Sequence, residues 1–218
     1  MKDKKVLIIG GNGFIGRNLA KILVKRNDLE VFSFDLALPR EEVAGVEYME
    51  GDFFDDLVLE NAVKGMDLVI HSLSTVNPGN SNEKYMQGYG RDFLQTIKLC
   101  KMIIDQKSNM IFLSSGGTVY GVQEEQPIKE TALPVPINHY GSVKLCIENV
   151  FNIQFCILFC YYSVTFGASA VSFGVTVSFG ATGASSFGLR GGKFNSIMVF
   201  CGHTSTHFRQ DLHLSGSM

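Results

Sequence analysis

Tyr140 and Lys144 lie four residues apart in Tyr140-Gly-Ser-Val-Lys144. On a helix, positions i and i+4 share a face, so a phenol and an ammonium can meet over one ligand. A free tyrosine has a pKa of about 10, and a general base working near neutrality needs it lowered by roughly 3 units. A neighbouring ammonium acts in that direction because it stabilises the phenolate. Taken alone, the spacing fits an exposed helix pair equally well.

A second constellation gives the pair a ligand. Gly10-Gly11-Asn12-Gly13-Phe14-Ile15-Gly16 fits G-x-x-G-x-x-G from Gly10 and G-x-G-x-x-G from Gly11. The apolar run Val6–Ile9 precedes it, and Ile15, Leu19, Ile22 and Leu23 follow at helical spacing. Glycines between a strand and a helix let the backbone turn sharply and approach a pyrophosphate. The charge of that group then meets the open N–H groups of the helix start, here at Phe14 and Ile15. Asp35 ends the next apolar run, 19 residues after Gly16. A carboxylate there accepts from the adenosine ribose hydroxyls and repels a 2′-phosphate, which favours NAD over NADP.

The elements that must position these groups alternate. Strands are predicted over residues 5–9, 30–34, 46–50, 66–71 and 110–113, and helices from Ile15, over 56–64, over 83–106 and over 140–151. Apolar runs alternating with helical patterns predict an α/β fold, a doubly wound parallel sheet of Rossmann type, in residues 1–152.

Composition sets the outer bounds. Hydrophobic residues make up 45% and charged residues 18% of 218, enough for a packed core. A net charge of −2 argues against nucleic acid or an anionic membrane surface as partner. The five cysteines show no C-x-x-C spacing, so a reducing, cytoplasmic setting fits better than a disulfide scaffold, and no metal site is expected.

The averages conceal a break. Twenty of the 21 acidic residues lie at or before Glu148, and no charged residue occurs from Asn149 to Leu189. Residues 153–218 are rich in Gly, Ser and Phe, with S-F-G recurring at uneven steps. Small polar residues interrupt the uncharged stretch too often for a membrane helix. The expectation is a low-complexity tail that is not a native domain, arising from truncation or a shifted reading frame after about residue 152.

In order along the chain come Gly10–Gly16, Asp35, Gly51-Asp52-Phe53, His71-Ser-Leu-Ser74, Ser114-Ser-Gly-Gly-Thr-Val-Tyr-Gly121 and Tyr140-x-x-x-Lys144. This ordered set resembles the extended short-chain dehydrogenases/reductases, in particular the NAD-dependent nucleotide-sugar epimerases and dehydratases of the UDP-glucose 4-epimerase type. The resemblance implies that Gly10, Gly13 and Gly16 hold the pyrophosphate, Asp35 the ribose, and Asp52 and Phe53 the edge of the adenine. Leu73, Ser74 and Ser114 would line the cofactor channel. Tyr140 would be the base, and Lys144 would bind the nicotinamide ribose while lowering the Tyr140 pKa. The implied reaction is epimerisation of a UDP-hexose through a 4-keto sugar, and a homodimer is compatible with it.

Two positions depart from the pattern. The family's third catalytic residue, a Ser or Thr, falls on Gly116, which leaves Ser115 to supply the hydroxyl. The family's N-V-x-G-T reads Asp92-Phe-Leu-Gln-Thr96, an acid in place of an amide. Since the part that selects the sugar is not recognisable after Phe151, the chain as given is expected to bind NAD without epimerase activity. A membrane-tethered module is the remaining alternative.

Overall fold

The structure, a computed structural model, describes residues 4–125, 127–129, 131–165 and 197–200, with side chains described through residue 153. The alternation read from sequence is realised as β1 (Lys4–Ile9), α1 (Phe14–Leu23), β2 (Leu29–Asp35), β3 (Val46–Glu50), α2 (Asp56–Val63) and β4 (Leu68–His71). A short helix α3 (Tyr85–Gln87), a π-helical segment (Gly88–Phe93), α4 (Leu94–Gln106), β5 (Asn109–Leu113), α5 (Gly116–Val119), α6 (His139–Thr165) and β6 (Ile197–Phe200) follow.

The sheet is parallel, in the order β3-β2-β1-β4-β5-β6. β1 is central, with Ile9 beside Phe34 on one side and His71 on the other. The chain leaves β1 toward β2 and returns across it to β4. The carboxyl end of β1 is therefore a switch point, where a ligand crevice opens in such sheets.

Side chains alternate between the two faces. Val6, Ile8, Val31 and Ile70 pack with Ala20, Leu19 and Leu23 of α1. Leu7, Ile9, Phe34, Val69, Met110 and Phe112 face the other way, against Leu59, Leu99, Ile103, Val143, Ile147 and Phe151 of α2, α4 and α6. The buried stripe Val143, Ile147, Phe151 repeats every four residues. It fixes α6 against β5 through an edge-on contact between Phe112 and Phe151, with ring centroids 5.4 Å apart.

Three differences from expectation stand out. The helix expected over 83–106 is broken by the π-helical segment. α5 was not foreseen, because Gly116-Gly-Thr-Val119 contains no helical signal. α6 runs on to Thr165, so the boundary expected at residue 152 falls inside a helix, and β6 pairs with β5 at Met110–Leu113. The rest of the tail, residues 166–196 and 201–218, lies outside the described residues. No helix among the described residues is long and apolar enough to cross a membrane.

Candidate active site

The glycine turn sits where the parallel sheet requires it. Gly10 N–H donates to Phe34 O at 2.9 Å and Gly13 N–H to Gly10 O at 3.1 Å, and α1 begins at Phe14. Gly10 has φ +78°, in the left-handed region that glycine adopts without strain. A Cβ on Gly16 would lie 2.5 Å from Gly10 O, so this position must be glycine for the turn to close on the helix. The N–H groups of Phe14, Ile15 and Gly16 belong to the first turn and have no intrahelical acceptor. Phe14 is 87% exposed.

Asp35 closes the other side of the turn. Its Oδ2 accepts from Asn12 N–H at 3.0 Å and its Oδ1 from Leu36 N–H at 2.8 Å. Each oxygen keeps a lone pair for a further donor, as paired ribose hydroxyls require. The positive end of α1, the open turn and the fixed carboxylate fit a dinucleotide. A shallow hollow of about 420 Å³ lies beside the turn, but its lining comes from Asn12–Phe14, α1 and Glu41, and it does not extend to Tyr140.

Phe53 lies in the core. Its ring is 3% exposed and stacks on His71 with centroids 5.1 Å apart, and its carbonyl accepts from Gln95 Nε2 at 2.9 Å. The ring is a core element. Asp52 accepts from Phe54 N–H at 2.9 Å. Leu73 follows β4 with its backbone against Gly10, where an added Cβ would come to 3.0 Å from Leu73 N.

Tyr140 and Lys144 meet at the carboxyl end of β5. Lys144 Nζ donates to Leu113 O at 3.0 Å and lies 5.3 Å from the centre of the Tyr140 ring and 4.5 Å from that of Phe112. Lys144 is 4% exposed, and burial pushes its ammonium down to a pKa of about 8, against the opposing pull of Asp92 and Glu148. Burial and the Asp92 carboxylate push Tyr140 up. Both effects act opposite to the direction expected from Lys144 alone.

The two adjacent serines differ. Ser114 Oγ donates to Glu148 Oε1, one turn beyond Lys144 on α6. Ser115 is the N-cap of α5, yet its side chain makes no capping hydrogen bond.

Sequence reasoning did not foresee a buried polar network beneath this site. The Asp92 carboxylate accepts from Thr75 N–H at 2.7 Å, Thr75 Oγ1 at 2.5 Å and Ser74 Oγ at 2.9 Å. Ser74 Oγ also lies 2.8 Å from Val76 O. Thr96 Oγ1 donates to Asp92 O at 2.7 Å, which leaves it to accept from His71 Nε2 at 3.0 Å. His71 Nδ1 is buried without a partner among the described residues. The available signal was Asp92 itself, an acid on an otherwise buried helix face.

Residues 6–154 match the model of the NAD dependent epimerase/dehydratase family. The chain belongs to that family. The cofactor of these proteins is NAD. Among curated relatives, GDP-6-deoxy-D-talose 4-dehydrogenase of Aggregatibacter actinomycetemcomitans is 29% identical, over 70% of this chain and 49% of its own length. UDP-glucose 4-epimerase of Streptococcus mutans is 28% identical, over 66% and 45%. The crystal structure of UDP-glucose 4-epimerase from Brucella ovis in complex with NAD superposes with a TM-score of 0.60 at 31% identity, covering 68% of this chain and 47% of that one. The chain spans about half the length of the curated relatives it matches.

Proposed function

We propose that this family member acts in the 4-epimerisation of a UDP-hexose through a 4-keto sugar. The observation that carries the reading is the meeting of Tyr140 and buried Lys144 at the carboxyl end of β5, with Ser115, whose side chain makes no capping hydrogen bond, two residues beyond that strand. Gly10–Gly16 opens at the same end of the sheet, since all its strands are parallel. The likeness to UDP-glucose 4-epimerases of Streptococcus mutans and Brucella ovis supports the choice of substrate.

Gly10, Gly13, Phe14, Ile15 and Gly16 would hold the pyrophosphate of NAD, Asp35 its ribose, and Asp52, Leu73 and Ser74 the flanks of its channel. Bound NAD supplies a hydride acceptor that returns what it takes. The work of this chain is proton handling and orientation. Tyr140 takes the proton of the sugar's C4 hydroxyl and gives it back, and Ser115 orients that oxygen. Lys144, fixed by Leu113 O, holds the nicotinamide ribose and supports the phenolate. Because burial and Asp92 keep the proton on Tyr140, the phenol becomes a base only when positive charge enters beside it.

Gly116 favours a second reading, a chain that holds NAD without turning over sugar, because the family hydroxyl is missing there. One experiment separates the two. NAD is titrated calorimetrically, and UDP-glucose is incubated with the chain and NAD while UDP-galactose is followed. Appearance of UDP-galactose, lost by orders of magnitude in Tyr140→Phe with NAD affinity kept, supports the epimerase. NAD binding with no turnover supports the second reading, and absence of NAD binding overturns both.

A further inference from the structure

The segment after β2 is tied back onto the glycine turn. Asp35 Oδ2 accepts from Asn12 N–H at 3.0 Å, and Asn12 Nδ2 donates to Ala37 O. Four residues further on, Glu41 Oε2 accepts from Arg17 Nη2 at 2.5 Å. Val43 N–H donates to the Tyr48 hydroxyl at 2.7 Å. Residues 36–43 thus form a strap anchored to the turn, to α1 and to β3. Asn12, Arg17 and Glu41 all line the hollow beside the turn.

Arg17 follows directly on Gly16. Its Nη2 donates to Glu41, and its Nε is buried without a partner among the described residues. A guanidinium presents five N–H donors in a fork that matches phosphate oxygens. Lys21 lines the same hollow one turn further along α1. Two cations therefore border a hollow that Asn12 joins to Asp35, and Glu41 sets an anion on the better phosphate ligand of the two. The ion pair is exposed, with the Glu41 side chain 76% open to solvent, so it adds little to stability.

We propose that Glu41 is a specificity-determining residue for the cofactor: it occupies Arg17 and closes the hollow beside the turn to the 2′-phosphate of NADP. This rests on the reading that the glycine turn and Asp35 hold the dinucleotide, and it adds a residue outside that motif. The two nicotinamide cofactors differ at the adenosine 2′-oxygen, a hydroxyl in NAD and a phosphate ester in NADP. Asp35 acts on that oxygen as a hydrogen-bond acceptor. Glu41 acts one step further out. A phosphate entering there meets a second carboxylate and has to break the Arg17–Glu41 pair before the guanidinium can serve it. NAD brings no charge to that position, so the pair does not oppose its binding.

The test is calorimetric titration of the full chain with NAD and, separately, with NADP, at low ionic strength where exposed charges are least screened. Glu41→Gln keeps the size of the side chain and removes its charge. It should tighten NADP binding roughly tenfold, as befits a guanidinium released to a phosphate. NAD affinity should stay within about twofold, as expected for an exposed pair. Adding Arg17→Ala to Glu41→Gln should abolish the gain. NADP binding that is unchanged in Glu41→Gln while NAD still binds overturns the proposal and leaves the NAD reading standing. An equal gain for both dinucleotides overturns it too, since the effect is then one of net charge. A gain that persists in the double variant transfers the phosphate to another cation and overturns the role of Arg17–Glu41. If neither dinucleotide binds the unaltered chain or Glu41→Gln, the reading of the glycine turn fails, and the proposal fails with it.

Discussion

Lys144 Nζ donates to the main-chain oxygen of Leu113 at 3.0 Å, tying the middle of α6 to the last residue of β5. One ammonium thus ties helix to strand while lying 5.3 Å from the ring of the proposed base. Two adjacent stripes of α6 divide the labour. Val143, Ile147 and Phe151 are buried in the core, and Tyr140, Lys144 and Glu148 face the strand ends.

The buried ammonium predicts a pH dependence of stability. Its pKa is about 8 in the folded chain, against 10.5 in its ordinary state. Between these values the unfolded chain binds the extra proton and the folded chain does not, so stability rises with pH across that window. The gain is on the order of 3 kcal/mol if the whole shift is realised. Melting temperatures measured from pH 7.5 to 9.5, values chosen as roughly the lower part of that window, should rise for the unaltered chain relative to Lys144→Met. Parallel curves would show that the lysine is charged throughout.

The sheet and the glycine turn were legible because they rest on local patterns. Val6–Ile9 followed by glycines can hardly be anything but a buried strand entering a turn, and Asp35 was found at the end of β2 as expected. What was not legible depends on contacts distant in sequence. The family resemblance implied Phe53 as a ligand neighbour, and only the fold shows its ring stacked on His71, 18 residues on. Thr75 and Asp92 are 17 residues apart, and Asp92 meets Thr75 from the π-helical segment. The strand β6 could not be read from Ile197–Phe200, four apolar residues whose place is set by pairing with β5.

His71 predicts the opposite pH limb. Its ring lies between Phe53 and Phe112, and burial with the Lys144 charge lowers its pKa from 6.5 to about 3. Below 6.5 the unfolded chain takes up a proton that the folded chain refuses, so stability falls as pH drops through that window. The loss reaches on the order of 4 kcal/mol by the bottom of it. His71→Leu should flatten the decline in melting temperature on acidification, even if it lowers stability at neutral pH. An unchanged acid limb would assign the decline to the carboxylates.

Gly16→Ala tests whether the turn serves the ligand as well as the fold. The methyl would meet Gly10 O at 2.5 Å and Gly11 Cα at 2.7 Å, so the turn must open or the helix must shift. The expected destabilisation is about 1–3 kcal/mol, in the range of an overpacked site. NAD affinity should fall at least tenfold in calorimetry at a temperature where the variant is still folded. Loss of stability with unaltered NAD affinity would make Gly16 a packing residue only.

The neighbouring serines give the sharpest separation of roles. Ser114 spends its hydroxyl on Glu148, which holds α6 to the end of β5 one turn beyond Lys144. Ser115, at the start of α5, has no capping hydrogen bond to lose. Ser114→Ala should therefore lower the melting temperature, at about 1–3 kcal/mol for a hydrogen bond to a charged partner, and change turnover modestly. Ser115→Ala should leave the melting temperature nearly unaltered and reduce kcat for UDP-glucose by at least tenfold with little change in KM, as befits a group used in the reacting state. Should Ser115→Ala turn over normally, the hydroxyl missing at Gly116 has no replacement at 115, and proton transfer to and from the sugar rests on Tyr140 alone.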